Sequence, residues 1–336
     1  MSVSHQRIPI LVNDQSYIGH ARRQAVAIAE SLAFSETAAG NLGIIVTEAG
    51  RNIALHAGSG EIVLAPWTMD GYAGVDVVAL DRGPGIGDIE RALEDGFSTA
   101  GTAGTGLGAM RRLAQEFQVY SIPRAGTVVF ARVFARPITD MTAVRGISRV
   151  GVMNLPMQGE VHCGDAWKVI RAGGRSLYMI ADGLGHGRDA ALASNRACEV
   201  LEQNPGLLPE DLLGEMHRAL RKTRGAAVSI ATLDGRRTLH YAGAGNISGV
   251  LHAGGSHQNL VSMNGTVGHT VNRVREFLYT WEGEATLILY SDGLSSRWTL
   301  EQYPGLLGKH PALIAAVLYR DHCRGRDDVT VLVVRI

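Results

Sequence analysis

The residues best placed to do chemistry are acidic, and they stand where apolar runs give way to glycine. Asp165 in "CGDAW", Asp182 in "IADGLGHG", Asp292 in "LYSDGLSS" and the pair Asp327 and Asp328 in "GRDDVTVLVV" share that setting. One Asp-Gly is most simply a turn. Two in the same strand-Asp-Gly-Leu context, with an Asp pair abutting another strand, suggest carboxylates gathered at one sheet edge. Such a cluster repels itself unless cations neutralise it. Oxygen-only ligands favour magnesium or manganese over zinc. Two such ions could activate a water and clamp a phosphoryl group. No DxDxDG loop, HExxH or CxxC occurs, and His186 reads as a surface-loop histidine.

A second constellation lies in the N-terminal half. Glu48 and Asn52 fall on one line of a helix, beside the apolar stripe of Leu42, Ile45, Val46, Ala49 and Ile53. A carboxylate and an amide there could orient a water or hydroxyl and coordinate a magnesium ion bridging phosphates. The same spacing also suits an ordinary amphipathic helix with a polar shoulder. Asp81 ends a strand and precedes Gly83, Pro84 and Gly85. It could accept a hydrogen bond from an exocyclic amine such as adenine's, the glycines letting a flat ring approach the backbone. A simple turn is the alternative. The stretch "GTAGTGLG" brings Gly101, Gly104, Gly106 and Gly108 up to a helix start, where exposed N–H groups and the helix dipole suit phosphates. It is neither a Walker A loop, lacking GKS or GKT, nor a Rossmann motif, since no strand immediately precedes it.

The elements that must position these residues follow from periodicity. A strand is expected at 7–13, then a helix with Ala21, Ala25, Ile28, Ala29 and Leu32 on one face. A second helix is expected from about Ala38 to His56, and a third from about Leu107 to Phe117, with strands at "EIVLAP", "GVDVVALD", "FQVYSIP" and "GTVVFARVF". The stretch 135–151 has no clear period, which sets a boundary near residue 140. Beyond it come strand-like segments, two helices ("GRDAALASNRACEVLEQ" and "PEDLLGEMHRALRKT") and more strands. That order suggests a two-sheet sandwich with helices outside. The expected fold class is α+β in two domains, residues 1–137 and 147–336, joined by a linker at 138–146.

Composition narrows the field. The chain has 336 residues, enough for two ordinary domains, with 46% hydrophobic residues. Its 32 basic and 32 acidic residues balance, so bulk charge announces neither nucleic acid nor a membrane surface as partner. Three scattered cysteines suit a reduced, cytoplasmic chain. The start lacks a signal peptide's apolar core, and no apolar run reaches membrane-spanning length.

Taken together, E-x-x-R-N at 48–52, D-x-G-P-G-I at 81–86, G-T-G-L-G at 104–108 and G-T at 126–127 resemble the GHKL (Bergerat-fold) ATPases. Within them, "TEAGRNIALHAGSG" and "DRGPGIGDIERALEDGFSTAG" are similar to the RsbT-like serine/threonine switch kinases of bacterial stress and sigma-factor signalling. The resemblance covers about residues 5–135 and implies an ATP-binding α/β sandwich. It implies Glu48 as the catalytic or water-orienting carboxylate, Asn52 as the ligand of ATP-bound magnesium and Asp81 as the adenine reader. Gly83 and Gly85 would shape the adenine pocket, Gly104, Gly106 and Gly108 would bind phosphate, and Thr127 would lie near the adenine. No helical hairpin with a phospho-accepting histidine is evident, which argues for a target in trans.

Residues 147–336 resemble the SpoIIE-like branch of the metal-dependent PPM phosphatases, with a modest size like that of RsbX-like members. "GD" at 164–165, "ADGLGHG", "YAGAGN", "LILYSDGL" and "RDDVTVLVV" carry that likeness. It implies a β-sandwich flanked by helices, holding two manganese or magnesium ions. The ligands would be Asp165, Asp182, the carbonyl of Gly183, Asp292 and Asp327, with Asp328 the alternative to Asp327. The combination implies a bifunctional switch acting on Ser or Thr of STAS-domain partners or other sigma-factor regulators. Two other readings stay open: an N-terminal module that gates the phosphatase without phosphorylating, and an anti-sigma-type binder.

Overall fold

The computed structural model describes residues 2–4, 7–69, 71–94, 106–137, 146–235, 237–271 and 274–336, the side chains of 2–4 excepted. The chain divides into two compact units. One comprises His5–Ser148 with Gly308–Arg320, and the other comprises Met1–Ser4, Arg149–Leu307 and Asp321–Ile336.

In the first unit, β1 (Ile8–Val12) leads into α1 (Ser16–Ser31) and α2 (Glu36–Asn52). The Ser35 hydroxyl caps α2 by accepting from the Ala38 N–H at 3.2 Å. Strands β2 (Gly60–Met69) and β3 (Tyr72–Asp81), helix α3 (Gly106–Leu113), and strands β4 (Glu116–Ser121) and β5 (Thr127–Phe134) follow. The antiparallel order is β1-β2-β3-β5-β4. The helices cover one face. Ala21, Ala25, Ile28 and Ala29 of α1 and Leu42, Ile45, Val46 and Ala49 of α2 bury against Ile62, Leu64, Val77, Ala79 and Val129. The expected stripes are therefore the real ones, with Leu32 only partly buried.

Two expected helices end earlier than their patterns suggest. The α-helical run of α2 stops at Asn52, and Ile53–Ala57 form a π-helical turn closed by Gly58 at φ 75°. Helix α3 stops at Leu113, and Phe117 lies in β4, where Gln118 and Val119 alternate sides.

The opposite face of this sheet is also buried, because the C-terminal helix Pro311–His322 contributes residues 311–320 to this unit. The His310 ring stacks on Phe130 with centroids 4.2 Å apart, and its backbone N–H donates to Gln118 Oε1. Tyr319 donates to Glu61, and Arg320 donates to the Asp81 carbonyl at 3.3 Å. Beside them Arg132 forks onto both oxygens of Asp76, which also accepts from the Trp67 indole N–H. A buried guanidinium is stable only when paired in this way. The strand-and-helix pattern of the sequence does not reveal this helix.

The second unit is a sandwich of two antiparallel sheets. Strands β6 (Val150–Leu155), β7 (Asp165–Ala172) and β8 (Arg175–Gly183) are followed by helices α4 (Arg188–Gln203) and α5 (Pro209–Ala219). Then come β9 (Ala226–Leu233), β10 (Thr238–Ala244), β11 (Ser248–Ala253), β12 (Ser256–Leu260), β13 (Phe277–Thr280), β14 (Ala285–Tyr290) and β15 (Val329–Arg335). The sheets run β13-β10-β9-β8-β7 and β12-β11-β14-β15-β6. Helices α4 and α5 pack on the first sheet, with Ala197, Leu201, Leu213 and Met216 against Leu177, Met179 and Val228. Among the described residues, no helix is long and apolar enough to cross a membrane.

Candidate functional site

Two sites emerge, one in each unit. The first is a cavity of about 360 Å³ lined by Asn52, Ile53 and His56 from the end of α2, Asp81 from β3, the turn at 84–88, Gly106 and Leu107 from α3, and Thr127 and Val129 from β5. Its size lies in the range of small-molecule sites. The π-helical turn brings Ile53 and His56 to the same wall as Asn52. Such turns recur at functional sites because they reorient a helix face.

Asp81 forms the polar floor. Its Oδ1 accepts from the N–H of Gly83 at 2.8 Å and of Thr127 at 3.2 Å. Burial pushes this carboxyl above the usual range, and those two N–H groups, with Arg320 and His56, act against the rise. The turn after Asp81 is held tightly to the hairpin between β4 and β5. A Cβ on Gly85, at φ +71°, would lie 2.3 Å from the Ile122 carbonyl, so only glycine fits there. Gly83 is equally confined, 2.7 Å from Ala57 Cβ by the same construction.

Glu48 and Asn52 meet the start of α3. A Cβ on Gly106 would stand 3.2 Å from both Glu48 Oε2 and Asn52 Oδ1. Glu48 Oε1 pairs with Arg51 at 2.9 Å. The Asn52 Nδ2 is buried and has no hydrogen-bond partner among the described residues. A buried amide without a partner is costly unless a ligand completes it. A carboxylate, an amide and a helix N-terminus in one corner fit a magnesium-bound phosphate group. Gly108 is buried inside α3. Gly101 and Gly104 lie outside the described residues. His56 and Arg91, which also line the cavity, were not singled out from sequence. The spacing of His56 from Asn52, one helical turn on, was the available signal.

The second site gathers aspartates at the edge of the sandwich. Asp165 and Asp182 sit directly opposite each other on β7 and β8, an arrangement in which like charges destabilise a sheet. Burial pushes Asp165 up to about 7, although the hydroxyls of Ser291 and Thr330 act against the rise. Asp182 is pushed up to about 9 by burial first, then by Asp165, Asp292 and Asp327. Asp292 is raised by burial and by Asp327. The available donors are few: the Ser291 hydroxyl reaches Asp165 Oδ2 at 2.6 Å, and Asn246 Nδ2 reaches Asp292 Oδ2 at 2.7 Å. Asp165 Oδ1 and Asp292 Oδ1 are buried with no partner among the described residues. Buried carboxylate oxygens in that state call for positive charge.

Asp327 and Asp328 differ in their surroundings. Asp328 is 2% exposed, and its two oxygens accept from the N–H groups of Met157 and Gly164 at 2.8 and 2.9 Å. It ties the start of β15 to the 157–164 loop. Asp327 accepts at Oδ1 from the Asp328 N–H and acts electrostatically on Asp165, Asp182 and Asp292. Gly183 is fixed as glycine, because a Cβ there would lie 2.0 Å from the Ala190 carbonyl. His186 pairs with Glu160 at 2.7 Å on the surface. Among the described residues, no three His, Cys, Asp or Glu side chains converge to hold one ion by themselves. The sequence reading does not include Asn246 and Ser291; "YAGAGN" and the Ser before Asp292 are the signals that point to them.

Comparison with known proteins finds a different family for each half of the chain. Residues 11–133 match the family described as the histidine kinase-like ATPase domain, and residues 172–336 match Stage II sporulation protein E (SpoIIE). The chain is similar to the serine/threonine-protein kinase RsbT of Bacillus subtilis (strain 168), 38% identical over 111 residues, which are 33% of this chain and 84% of RsbT. A solved structure from work on the bacterial stressosome, described as a modular system adapted to control secondary messenger signaling, aligns at TM-score 0.51 and 26% identity. It covers 55% of this chain and 97% of its own. RsbX, solved with magnesium, shares the fold at TM-score 0.50 and 22% identity, over 55% of this chain and 92% of RsbX.

Proposed function

The chain belongs to the RsbT family of serine/threonine-protein kinases in its N-terminal part and carries a SpoIIE-type PPM phosphatase domain in its C-terminal part, and from that premise we propose a two-way switch on protein serine/threonine phosphorylation. The observation that carries the reading is the coexistence of two unlike sites. One cavity joins a half-buried base-reading carboxylate to a phosphate corner, and one sheet edge holds buried carboxylate oxygens without donors among the described residues.

In the kinase step, Asp81 and Thr127 hold the adenine of ATP. The α3 N-terminus receives its phosphates, and the Asn52 amide oxygen would hold the magnesium that accompanies them. Glu48 accepts the proton of the partner's Ser or Thr hydroxyl, with Arg51 fixing its orientation. In the phosphatase step, two divalent cations, when bound, supply an activated water and neutralise the phosphoryl oxygens. Asp165, Asp182, the Gly183 carbonyl, Asp292 and Asp327 would hold them. Asn246 and Ser291 orient Asp292 and Asp165. Asp328 is already used in the loop tie, which favours Asp327 as the ligand.

Two opposed activities on one residue would only consume ATP. The activities are therefore regulated in opposite senses or address different phosphosites. The partners we infer are STAS-domain proteins of sigma-factor regulation. The test is incubation of the full chain with labelled ATP, magnesium and purified STAS-domain candidates. Label on a partner Ser or Thr, removed after ATP is depleted and manganese added, is the expected result. A partner that never takes label, while its prephosphorylated form is dephosphorylated at a nucleotide-dependent rate, replaces the kinase with a nucleotide-gated phosphatase.

A further inference from the structure

The hydrogen bonds beneath the first cavity determine more than its shape. Ser121, at the end of β4, does not line the cavity, yet its hydroxyl touches three groups. It accepts from the Ile86 N–H at 2.8 Å, and it lies 3.0 Å from the Gly126 carbonyl and 2.9 Å from Thr127 Oγ1. A hydroxyl has one proton and two acceptor positions. The Gly126 carbonyl can only accept, and its other bond, from the Ile122 N–H, is long at 3.3 Å. The Ser121 proton therefore goes to Gly126. Ile86 fills one acceptor position, and Thr127 can fill the other only by donating.

Thr127 thus directs its single proton at Ser121 and offers the cavity only lone pairs. Beside it, Asp81 takes the N–H groups of Gly83 and Thr127 on one oxygen, and the carboxylate is otherwise an acceptor. Asp81 and Thr127 both line the cavity, so its floor presents acceptors from both. A base edge that carries an amine satisfies them, whereas one that carries a carbonyl meets lone pairs with lone pairs.

We infer that Ser121 is a positioning residue that fixes Thr127 as an acceptor and thereby makes the cavity select a nucleotide with an exocyclic amine, adenine, over one with a carbonyl at that position, guanine. This deepens, and depends on, the reading of the cavity as a nucleotide site. In Ser121→Ala the Thr127 hydroxyl is free to turn and donate to a carbonyl.

The experiment is titration of the full chain with ATP and with GTP, in magnesium, for the wild type, Ser121→Ala, Ser121→Thr and Thr127→Val. The wild type should prefer ATP. Ser121→Ala should lower the ATP-to-GTP preference about tenfold, the worth of one hydrogen bond, partly by tighter GTP binding. Ser121→Thr, which keeps the hydroxyl, should restore the preference. Thr127→Val, which removes the acceptor, should lower it chiefly by weaker ATP binding. Equal changes in both affinities for Ser121→Ala would make Ser121 merely structural and overturn the inference. So would an intact preference in Thr127→Val, a readout that stands even if Ser121→Ala does not fold. A wild type that binds neither nucleotide overturns the site's assignment and the inference with it. A wild type that binds both equally overturns the inference alone.

Discussion

In the nucleotide cavity one carboxylate, Asp81, is surrounded by donors: the N–H groups of Gly83 and Thr127, with Arg320 and His56 nearby. At the sandwich edge, Asp165, Asp182, Asp292 and Asp327 act on one another, and a serine hydroxyl and an asparagine amide are the donors that reach Asp165 Oδ2 and Asp292 Oδ2. Burial raises both kinds of carboxylate; donors offset part of the rise at Asp81, whereas at the sandwich edge the neighbouring carboxylates add to it. A site that compensates itself is prepared for a neutral, hydrogen-bonding ligand such as a base. A site that leaves carboxylate oxygens buried without donors needs cations to complete it.

The sharpest way to break this contrast is to remove a charge from each site. Asp182→Asn should lower manganese-dependent phosphate release from a phosphoserine or phosphothreonine peptide by about 100-fold or more, the scale on which groups around a metal act. Release within a few-fold of wild type would make the cluster a set of turns. Asp81→Asn should weaken ATP binding about 10- to 150-fold, as expected for hydrogen bonds to a charged group. Its manganese-dependent release should not change. Unaltered ATP affinity in the folded variant would remove Asp81 from base recognition. Asn246→Ala, which frees Asp292 from the amide donor at 2.7 Å, should weaken manganese binding about tenfold; a titration with unchanged affinity would make that bond incidental.

The smallest effect is on stability. Asp165 at about 7 and Asp182 at about 9 lie above the ordinary 3.8, so the folded unit holds protons that the unfolded chain releases. Between about pH 4 and pH 9 the metal-free unit should therefore lose stability as pH rises. Manganese replaces those protons and should raise the melting temperature, more at pH 8 than at pH 6. Melting curves with and without chelator read both trends. A metal-free protein whose melting temperature climbs across that window would contradict the shared burial of these carboxylates.

Much of this was legible in the residues. The stripes of α1 and α2 are real because the apolar spacing of 3.6 is set by one buried face, and the line of Glu48 and Asn52 follows from it. The Asp-Gly punctuation marked strand ends, and those ends carry the aspartates of the second site. Other features have no local signature. "RDD" offers two equal carboxylates, and only the N–H groups of Met157 and Gly164, far away in sequence, separate Asp328 from Asp327. The C-terminal helix is buried almost continuously from Pro311 to Leu318, so it has no polar stripe to betray its period. Its proline at the first position and its run of alanines and leucines are the helical cues it offers. The apolar pattern of α3 runs on into Phe117 because only two residues separate the helix from a short edge strand.

The measurement that tests the two-way switch most directly compares three full-length proteins in one reaction with labelled ATP, magnesium, manganese and a STAS-domain partner. The wild type should bring the partner to a partial, steady level of phosphorylation. Asp182→Asn should raise that level towards completion, and Glu48→Ala should leave the partner unlabelled while still binding ATP. Equal labelling of the partner by all three proteins would contradict the assignment of opposed activities to the two sites.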